Sequence, residues 1–509
     1  MFNATGNAST NVPQAGSLPC RRLAVGRAWK YKPFAAPSDN PRPRAIFSYV
    51  QPGCLMHDSE SPENLPDEPV LQPATESAYS VLRNANFTRY LIGRFVASLG
   101  QQMLVVAIDW ELYRRTHSAL PLALVGLSLM IPMILCTVPA GHFADTFNRK
   151  KIILITTLIV AACSLGLTLM SVFALNVIWI YICLFILGAA RTFLWPASAS
   201  FVTSLIPRNQ FARAVTFNSG AFQLSAVLGP VVFGAVIALT PHAEEHRTAW
   251  PVYALNILAS IACFALVLPI KHIHKAKPAE PISLHSLVEG FRFVYQNKII
   301  LGIISLDMFA VLLGGTVTIL PMFADDIYHV GASGLGWLRN SMAIGAVICA
   351  MAMAHRQPLQ KAGKALLWSV TIFGLATIAF GLVNQNCLGS WITVSNSVWF
   401  WTAFAMMALA GFVDNISVVV RQTLVQILTP DEKRGRVSAV NSLFIGTSNE
   451  LGGFRSGIVA FFFTTPTVLG NAHATGAIIS TVTGGIGTIV VVVAIAWFWP
   501  QIRKYGKLA

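Results

Sequence analysis

The amino-acid sequence predicts an all-α integral membrane protein with twelve transmembrane helices in two six-helix, pseudo-symmetric halves. Three observations lead to this fold class: an apolar composition, long uncharged runs and an internal repeat. Of 509 residues, 54% are apolar and only 11% are charged, whereas charged residues make up about 25% of an ordinary soluble domain. The mean hydropathy is +0.61. This composition excludes a typical soluble protein.

The first part of the chain differs from the rest. Residues 1–87 are rich in Pro, Ser, Asn and Gly, and the stretch Asp58 to Glu76 is acidic. Such a composition predicts a disordered cytoplasmic tail. Met56 opens the segment MHDSESPENLPDEP and is interpreted as a candidate translation start, which would make residues 1–55 an annotation artefact.

Beyond the tail, apolar runs of about 20 residues have the length needed to cross a bilayer. The runs are continuously apolar, which favours helices because the strands of a membrane barrel alternate apolar and polar residues. Twelve spans are predicted near 90–112, 121–143, 151–174, 176–200, 215–240, 249–270, 297–320, 334–355, 364–384, 396–420, 438–463 and 475–499.

The charge distribution predicts the orientation. The net charge is +15, which in a soluble chain would suggest a nucleic-acid partner. In a membrane protein, Lys and Arg collect in cytoplasmic loops, and every second connection is basic here, as around Arg149, Lys275 and Lys433. We therefore expect a multi-pass protein of a bacterial inner membrane with both termini cytoplasmic, and no nucleic-acid partner.

An internal repeat divides the chain into halves. The segment that starts at Leu205 matches the one that starts at Leu428, and Pro, Arg, Asn and Gly stay in register at a constant offset. The longest connection, 271–296, is a predicted cytoplasmic linker between a half at 88–270 and a half at 297–509. Two six-helix repeats are typical of secondary transporters, with the substrate path between them.

The connection between spans two and three reads GHFADTFNRKKI. It resembles the loop motif G-x-L-A-D-R-x-G-R-[RK] of the major facilitator superfamily. The resemblance implies that Gly141 lets helices approach, that Asp145 lies against a helix end in the other half, and that Arg149 and Lys150 anchor the cytoplasmic face. Together these residues form the predicted gating loop.

Three positions depart from that motif, namely Phe143, Thr146 and Asn148. Asn tolerates the left-handed conformation, so the turn is expected to survive the loss of Gly. The missing Arg at 146 predicts a weaker network of gating charges.

Longer stretches, which start at Gln101, Ser305 and Val413, are similar to the branch of this superfamily that contains the bacterial enterobactin exporters. The likeness covers 88–500, and that branch also contains drug effluxers. It implies a small organic solute as substrate.

The fifth span contains four residues that partly resemble the antiporter motif of drug-proton exchangers, in which a Gly-Pro pair bends the helix and small residues permit close packing. The alternative is that Gly and Pro are simply common in membrane helices. The residues are Gly220, Gly229, Pro230 and Gly234.

Charged residues inside spans cost at least about 2.5 kcal/mol each at the bilayer centre and are normally turned to a cavity or paired. Asp307 lies mid-span without a basic residue within a helical turn, so it must face water, a partner on another helix, or a proton. Candidates for proton coupling or cavity charge are Asp307, Glu450, Asp109, Arg94 and Gln102. For Asp109, near the outer end, a solvated face is the alternative.

A second set of charges is assigned to inter-half or structural roles. Arg191 and Asp414 occupy equivalent positions in the two repeats, which predicts an ion pair across the pseudo-twofold axis, as a structural lock or as a substrate contact. Asp414 and Arg421 are seven apart and share a helix face. Arg421 is expected to extend towards the cytoplasmic end. Candidate cavity aromatics are Trp110, Trp195 and Phe222.

Catalytic and metal signals are weak. The connection PHAEEHRT holds His242, Glu245 and His246 in an H-x-x-E-H pattern, but no third ligand accompanies it, so no metal is expected. The sequence has no G-x-x-x-x-G-K-[ST] phosphate loop, so no ATPase activity and no cofactor are expected.

The sequence therefore predicts a secondary active transporter that moves a small organic solute by alternating access, as a proton-coupled exporter of a siderophore or drug-like substrate. The expected partners are the substrate, protons and the lipid bilayer, and the chain is expected to be a monomer. An importer or facilitator of the same fold is the first alternative. A non-transporting membrane receptor or enzyme is the second.

Overall fold

The structure, a computed structural model, describes residues 80–207, 210–240, 249–271, 284–355, 361–389, 392, 394–464, 472–504 and 506. Within these ranges there are twelve long helices and no β-strand, which confirms the predicted all-α fold. The helices are α1 Ala85–Thr116, α2 Ala119–Thr146, α3 Arg149–Val172, α4 Ile178–Leu205, α5 Phe211–Leu239, α6 Trp250–Val267, α7 Lys298–Gly314, α8 Gly331–Ala354, α9 Ala362–Leu382, α10 Asn396–Leu428, α11 Arg434–Phe462 and α12 Ala472–Phe498.

Shorter helical elements connect some of these helices. A 13-residue helix, Leu284–Gln296, precedes α7. Short turns at Val317–Ile319 and Leu320–Met322 and a π-helical turn at Phe323–Ile327 lead from α7 to α8. Three further short helices lie at Gln385–Leu388, Asp431–Lys433 and Pro500–Lys504.

Eleven helical segments in the described part of the chain are long and apolar enough to cross a membrane. The twelfth long helix, α11, is less apolar because it carries charged residues such as Arg436, Glu450 and Arg455. Large apolar side chains are exposed on several helices, including Leu165 of α3 and Val490 of α12. An exposed apolar surface of this kind is stable in contact with lipid rather than water.

The first helix begins earlier than the sequence predicts. Ser80–Arg83 forms a short 3₁₀ helix. Asn84 then caps α1 by accepting hydrogen bonds from the backbone N–H groups of Asn86 and Phe87 at 3.1 and 3.2 Å. Residues 80–87 are therefore ordered, and the predicted tail is wrong for them, because a polar cap hid the helix start. Residues 1–79 lie outside the described ranges.

The internal repeat corresponds to equivalent helix contacts in the two halves. Gly229 of α5 faces Gln102 of α1, and its repeat partner Gly452 of α11 faces the Val311 carbonyl of α7. A side chain at either glycine would collide with the facing helix, so each repeat needs its glycine for the same close approach. The same register of glycines in the sequence therefore reflects the same packing in space.

The two halves meet near one end of the helices, which we call the closed end and which carries the α1–α2 connection at residues 117–118. Gly234 of α5 packs on Ser333 of α8, and Gly457 of α11 packs on Ala123 of α2. We call the opposite end, which carries the α2–α3 connection, the open end. The predicted linker includes the helix Leu284–Gln296 at the open end; residues 272–283 lie outside the described ranges.

Candidate functional site

A cavity of about 80 Å³ lies within the N-terminal half. Its walls are mostly aliphatic side chains of α1, α2, α3 and α4, such as Leu129, Val160 and Leu187. The polar side chains that line it come from α1 and α4, and they are Arg94, Ser98, Gln101, Gln102 and Arg191.

The polar face of α1 follows helix geometry. Arg94, Ser98 and Gln102 are spaced four residues apart and therefore lie on one side of the helix. The structure places all three at the cavity, where the sequence predicts Arg94 and Gln102. Arg94 also lies within electrostatic range of Tyr90.

Two of the three predicted cavity aromatics reach the cavity. Trp195 of α4 and Phe222 of α5 line it and contact each other edge to face, with ring centroids 6.1 Å apart. Trp195 is 62% exposed. The prediction for Trp110 is wrong, because its side chain is buried in the core and packs under the Arg114 guanidinium at 5.5 Å.

Asp109 does not line the cavity, and its predicted solvated alternative is also wrong. The residue is 3% exposed, and its Oδ2 pairs with the Arg339 guanidinium of α8 at 2.9 Å. This ion pair joins the two halves.

Asp307 is paired with a cation on another helix. Its carboxylate forms an ion pair with the Arg421 guanidinium of α10. Arg421 is 4% exposed, so the expectation that its side chain extends towards the cytoplasmic end is wrong. Of the three environments that the sequence leaves open for Asp307, the structure shows the partner on a neighbouring helix.

A second, smaller cavity of about 10 Å³, roughly the room that one water molecule needs, lies in the C-terminal half. Asp307, Asp414 and Ser417 line it together with apolar side chains of α7 and α9. The predicted ion pair between Arg191 and Asp414 is absent from the described residues: Arg191 faces the larger cavity and Asp414 the smaller one. Equivalent positions in the repeats thus face the cavity of their own half.

Glu450 of α11 lies within electrostatic range of Arg191, and also of Asp109 and Arg339. It is therefore part of a charged group that includes residues of both halves. Arg455 is held within its own half, where it donates hydrogen bonds to the carbonyl of Leu313 at 2.8 Å and to the hydroxyl of Thr483 at 2.9 Å.

Further contacts join the halves at the closed end. Arg114 of α1 pairs with Asp325 at 2.8 Å, and the Tyr113 hydroxyl donates a hydrogen bond to Asp326. We call these contacts, with the Asp109–Arg339 pair, the inter-half latch. Sequence reasoning missed Arg339 as a site residue, although it lies inside the predicted span 334–355 and the search for in-span charges could have found it.

The gating loop is held by its own half. The Arg149 side chain donates to the carbonyls of Ala144 and Ser200 at 3.4 and 3.2 Å, and the Lys150 ammonium donates to the Leu268 carbonyl at 2.7 Å. Gly141 lies inside α2. The side chain of Asp145 lies outside the described part, so its inter-half role stays a prediction.

Asn148 preserves the turn by a different route from the predicted left-handed conformation. Its φ is −65°, and its side chain accepts a hydrogen bond from the Lys150 N–H at 3.0 Å. The residue therefore acts as the N-cap of α3, which is a favoured role for Asn.

The helix-packing residues of α5 divide into two groups. Gly229 and Gly234 lie at close helix contacts, whereas a Cβ on Gly220 would have no atom within 4 Å. The packing role predicted for Gly220 is therefore wrong. Pro230 lies inside α5, as expected. The pattern formed by His242, Glu245 and His246 falls outside the described residues.

Twelve helices in two repeats, with a cavity and an inter-half latch, define a secondary transporter. The sequence profile of the Major Facilitator Superfamily matches residues 90–454, and the chain belongs to that family. It is thus a multi-pass membrane transporter of small solutes and not an enzyme.

Curated relatives include proteins described as enterobactin exporter EntS. Those of Shigella boydii and Shigella flexneri are each 24% identical over 364 residues, which cover 70% of this chain and 80% of the relative.

Solved transporters share the fold. The nucleoside transporter NupG aligns with a TM-score of 0.60 at 14% identity, over 82% of this chain and 99% of NupG. A bacterial homologue of ferroportin in the inward-facing state aligns with a TM-score of 0.59 at 15% identity, over 82% and 99% of the two chains.

Proposed function

We propose that this transporter exports a small amphipathic organic solute, of the siderophore or drug-like kind, across a bacterial inner membrane in exchange for protons. The observation that carries the proposal is the amphipathic cavity of the N-terminal half in a chain that resembles enterobactin exporters over 70% of its length. The proposed organisation is a tail before Ser80, halves at 88–270 and 297–509, a linker at 271–296, and a monomeric assembly.

The positive-charge bias supports an orientation in which both termini and the open end are cytoplasmic. The closed end, with its latch, then faces outwards. In this arrangement a solute in the cytoplasm reaches exposed Trp195 and Arg191, which is the loading state that an exporter requires. The gating loop at Gly141, Asp145, Arg149 and Lys150 would control closure of the open end.

The smaller cavity supports a site for proton exchange. Asp307 has an ion-pair partner in Arg421, whereas Asp414 lines the same cavity without a described ion pair. A carboxylate that lines a narrow cavity without a counter-charge is the group that gains most from binding a proton. We therefore assign proton exchange to Asp414, with Asp307 and Arg421 positioning it. Glu450 and Asp109 are assigned to charge balance between the halves.

The test uses inverted membrane vesicles with an imposed pH gradient, and enterobactin and a fluorescent cationic dye as probes. We expect uptake of at least one probe by the wild-type protein, lost when a protonophore collapses the gradient. Asp414→Asn should reach the membrane at the wild-type level and lose the gradient-driven part of uptake. Gly220→Ala is the matched control. It adds a methyl group where no other atom lies within 4 Å, so this variant should transport normally.

Other outcomes would contradict parts of the proposal. Uptake that only equalises the probe concentrations, with or without a gradient, would indicate a facilitator. Gradient-driven uptake at the wild-type rate in Asp414→Asn would exclude Asp414 as the proton-exchange site.

A further inference from the structure

The charges that line the larger cavity all have one sign. Among the sixteen residues described at its wall, Arg94 and Arg191 are the charged ones, and no Asp or Glu accompanies them. An apolar surround strengthens the field of these two guanidinium groups, because the wall has a low dielectric constant. The cavity therefore favours negative charge.

The remaining wall sets the shape of a suitable ligand. Aliphatic side chains such as Val160, Leu184 and Leu187 cover most of it. Trp195 and Phe222 offer aromatic surface where the cavity is exposed. A guanidinium group presents two parallel N–H donors that fit a carboxylate or a similar planar anion.

We propose that the solute recognised in this cavity is an amphipathic organic anion, whose anionic group binds Arg94 and Arg191 and whose aromatic or aliphatic body packs on the apolar wall. This inference rests on the proposed transport function and specifies its substrate class. It concerns binding alone, so it can be tested apart from transport.

Glu450 gives the inference a second, directional consequence. Its carboxylate lies on α11 of the other half, within electrostatic range of Arg191. A bound anion therefore competes with Glu450 for the Arg191 charge and is also repelled by Glu450. Removal of the Glu450 charge should tighten anion binding, whereas the same change would weaken the binding of a cation.

The experiment measures equilibrium binding to the purified full-length protein in detergent. The probes are radiolabelled naphthoate, its neutral amide and naphthylmethylammonium, which share an aromatic body and differ in charge. We expect naphthoate to bind most tightly. Arg94→Gln and Arg191→Gln should each weaken naphthoate binding about tenfold, the usual effect of losing a hydrogen bond to a charged group, and leave the amide unchanged. Glu450→Gln should strengthen naphthoate binding.

Two further variants control for loss of folding and for a change of charge outside the cavity. Arg191→Lys keeps the charge but loses the paired N–H donors, so it should bind naphthoate more tightly than Arg191→Gln and less tightly than the wild type. This order separates charge recognition from loss of folding. Arg292→Gln removes an exposed arginine of the helix Leu284–Gln296, outside the cavity, and should bind all three probes like the wild type.

The inference is overturned if the amide or the ammonium probe binds as tightly as naphthoate, or if neither Arg→Gln variant changes naphthoate affinity. These results differ from failure of the proposed function. If naphthoate binds with the expected pattern but is not transported by the protein in proteoliposomes, the proposed transport function is refuted and the anion-binding site is still supported. If a cationic dye is transported with the pH gradient and naphthoate does not bind, the anion-binding site is refuted and the proposed transport function is still supported.

Discussion

The ion pair of Asp307 and Arg421 shows how a single residue acquires its role from its partner. Both residues are at most 8% exposed, and a buried charge without its partner costs about 3–5 kcal/mol. The pair joins α7 to α10 inside the C-terminal half and borders the smaller cavity. Its removal therefore affects stability as well as coupling.

We predict that Asp307→Asn lowers the melting temperature and the membrane level, because Arg421 is left as an unpaired buried cation at a cost of about 3–5 kcal/mol. The double variant Asp307→Asn/Arg421→Gln should recover most of the loss, since neither charge remains. Melting in detergent and immunoblotting of membranes measure both effects. A single variant as stable as the wild type would show that Arg421 does not depend on Asp307.

Residue roles could be predicted from the sequence only in part. The rule that in-span charges are functional or paired identified Asp307, Asp109 and Arg421. It did not reveal that Asp109 pairs with Arg339, because these residues are 230 positions apart and pairing between distant helices has no local pattern. The same limit explains why Arg191 and Asp414 were expected to meet.

At the scale of helices, the apolar run lengths predicted all twelve long elements, since bilayer thickness fixes the length of a span. Boundaries were less certain where polar residues cap a helix, as at Asn84 and Asn148. The glycine register predicted the repeat, but it could not separate glycines that face a helix from those that face open space. Gly457 and Gly220 illustrate the two cases.

We predict that Gly457→Ala destabilises the closed end, whereas Gly220→Ala does not. A Cβ on Gly457 would lie 2.7 Å from the Ala123 Cβ, while Gly220 has no atom within 4 Å. Overpacking costs about 1–3 kcal/mol, and Gly→Ala inside a helix gains about 0.5–1 kcal/mol. Gly457→Ala should therefore melt at a lower temperature than the wild type and Gly220→Ala slightly higher.

The measurement is thermal unfolding of both variants in the same detergent. Equal shifts in the two variants would show that the α2–α11 contact is not tight and that helix propensity alone governs the effect.

For the whole molecule, the sequence predicted two halves and a path between them, because two segments with the same sequence pattern are expected to fold into the same arrangement of helices. It could not predict which end is closed, since one sequence serves every state of the transport cycle. The structure supplies this through the inter-half latch and the glycine contacts of α2 with α11 and α5 with α8. The latch contacts join the halves only while this end is closed.

The latch should therefore set the balance between the two states. A ligand or contact shifts a conformational equilibrium only by the interaction that one state has and the other lacks. Each hydrogen bond to a charged group contributes about 1.5–3 kcal/mol, so loss of two should change the ratio of states by at least about 100-fold. We predict that Arg114→Gln/Asp109→Asn moves the population towards opening of the closed end.

Spin labels at Leu239→Cys of α5 and Val398→Cys of α10 report the distance between the halves at the closed end, in a background without native cysteines. Both positions are exposed. The distance distribution should move to longer values in the double variant. Glu289→Gln breaks the 2.5 Å pair between the helix Leu284–Gln296 and Arg436 of α11, which does not join the two halves, and should leave the distribution unchanged. An unchanged distribution in the double variant would mean that helix packing alone holds the closed end, and the glycine contacts would then carry the whole inter-half interaction.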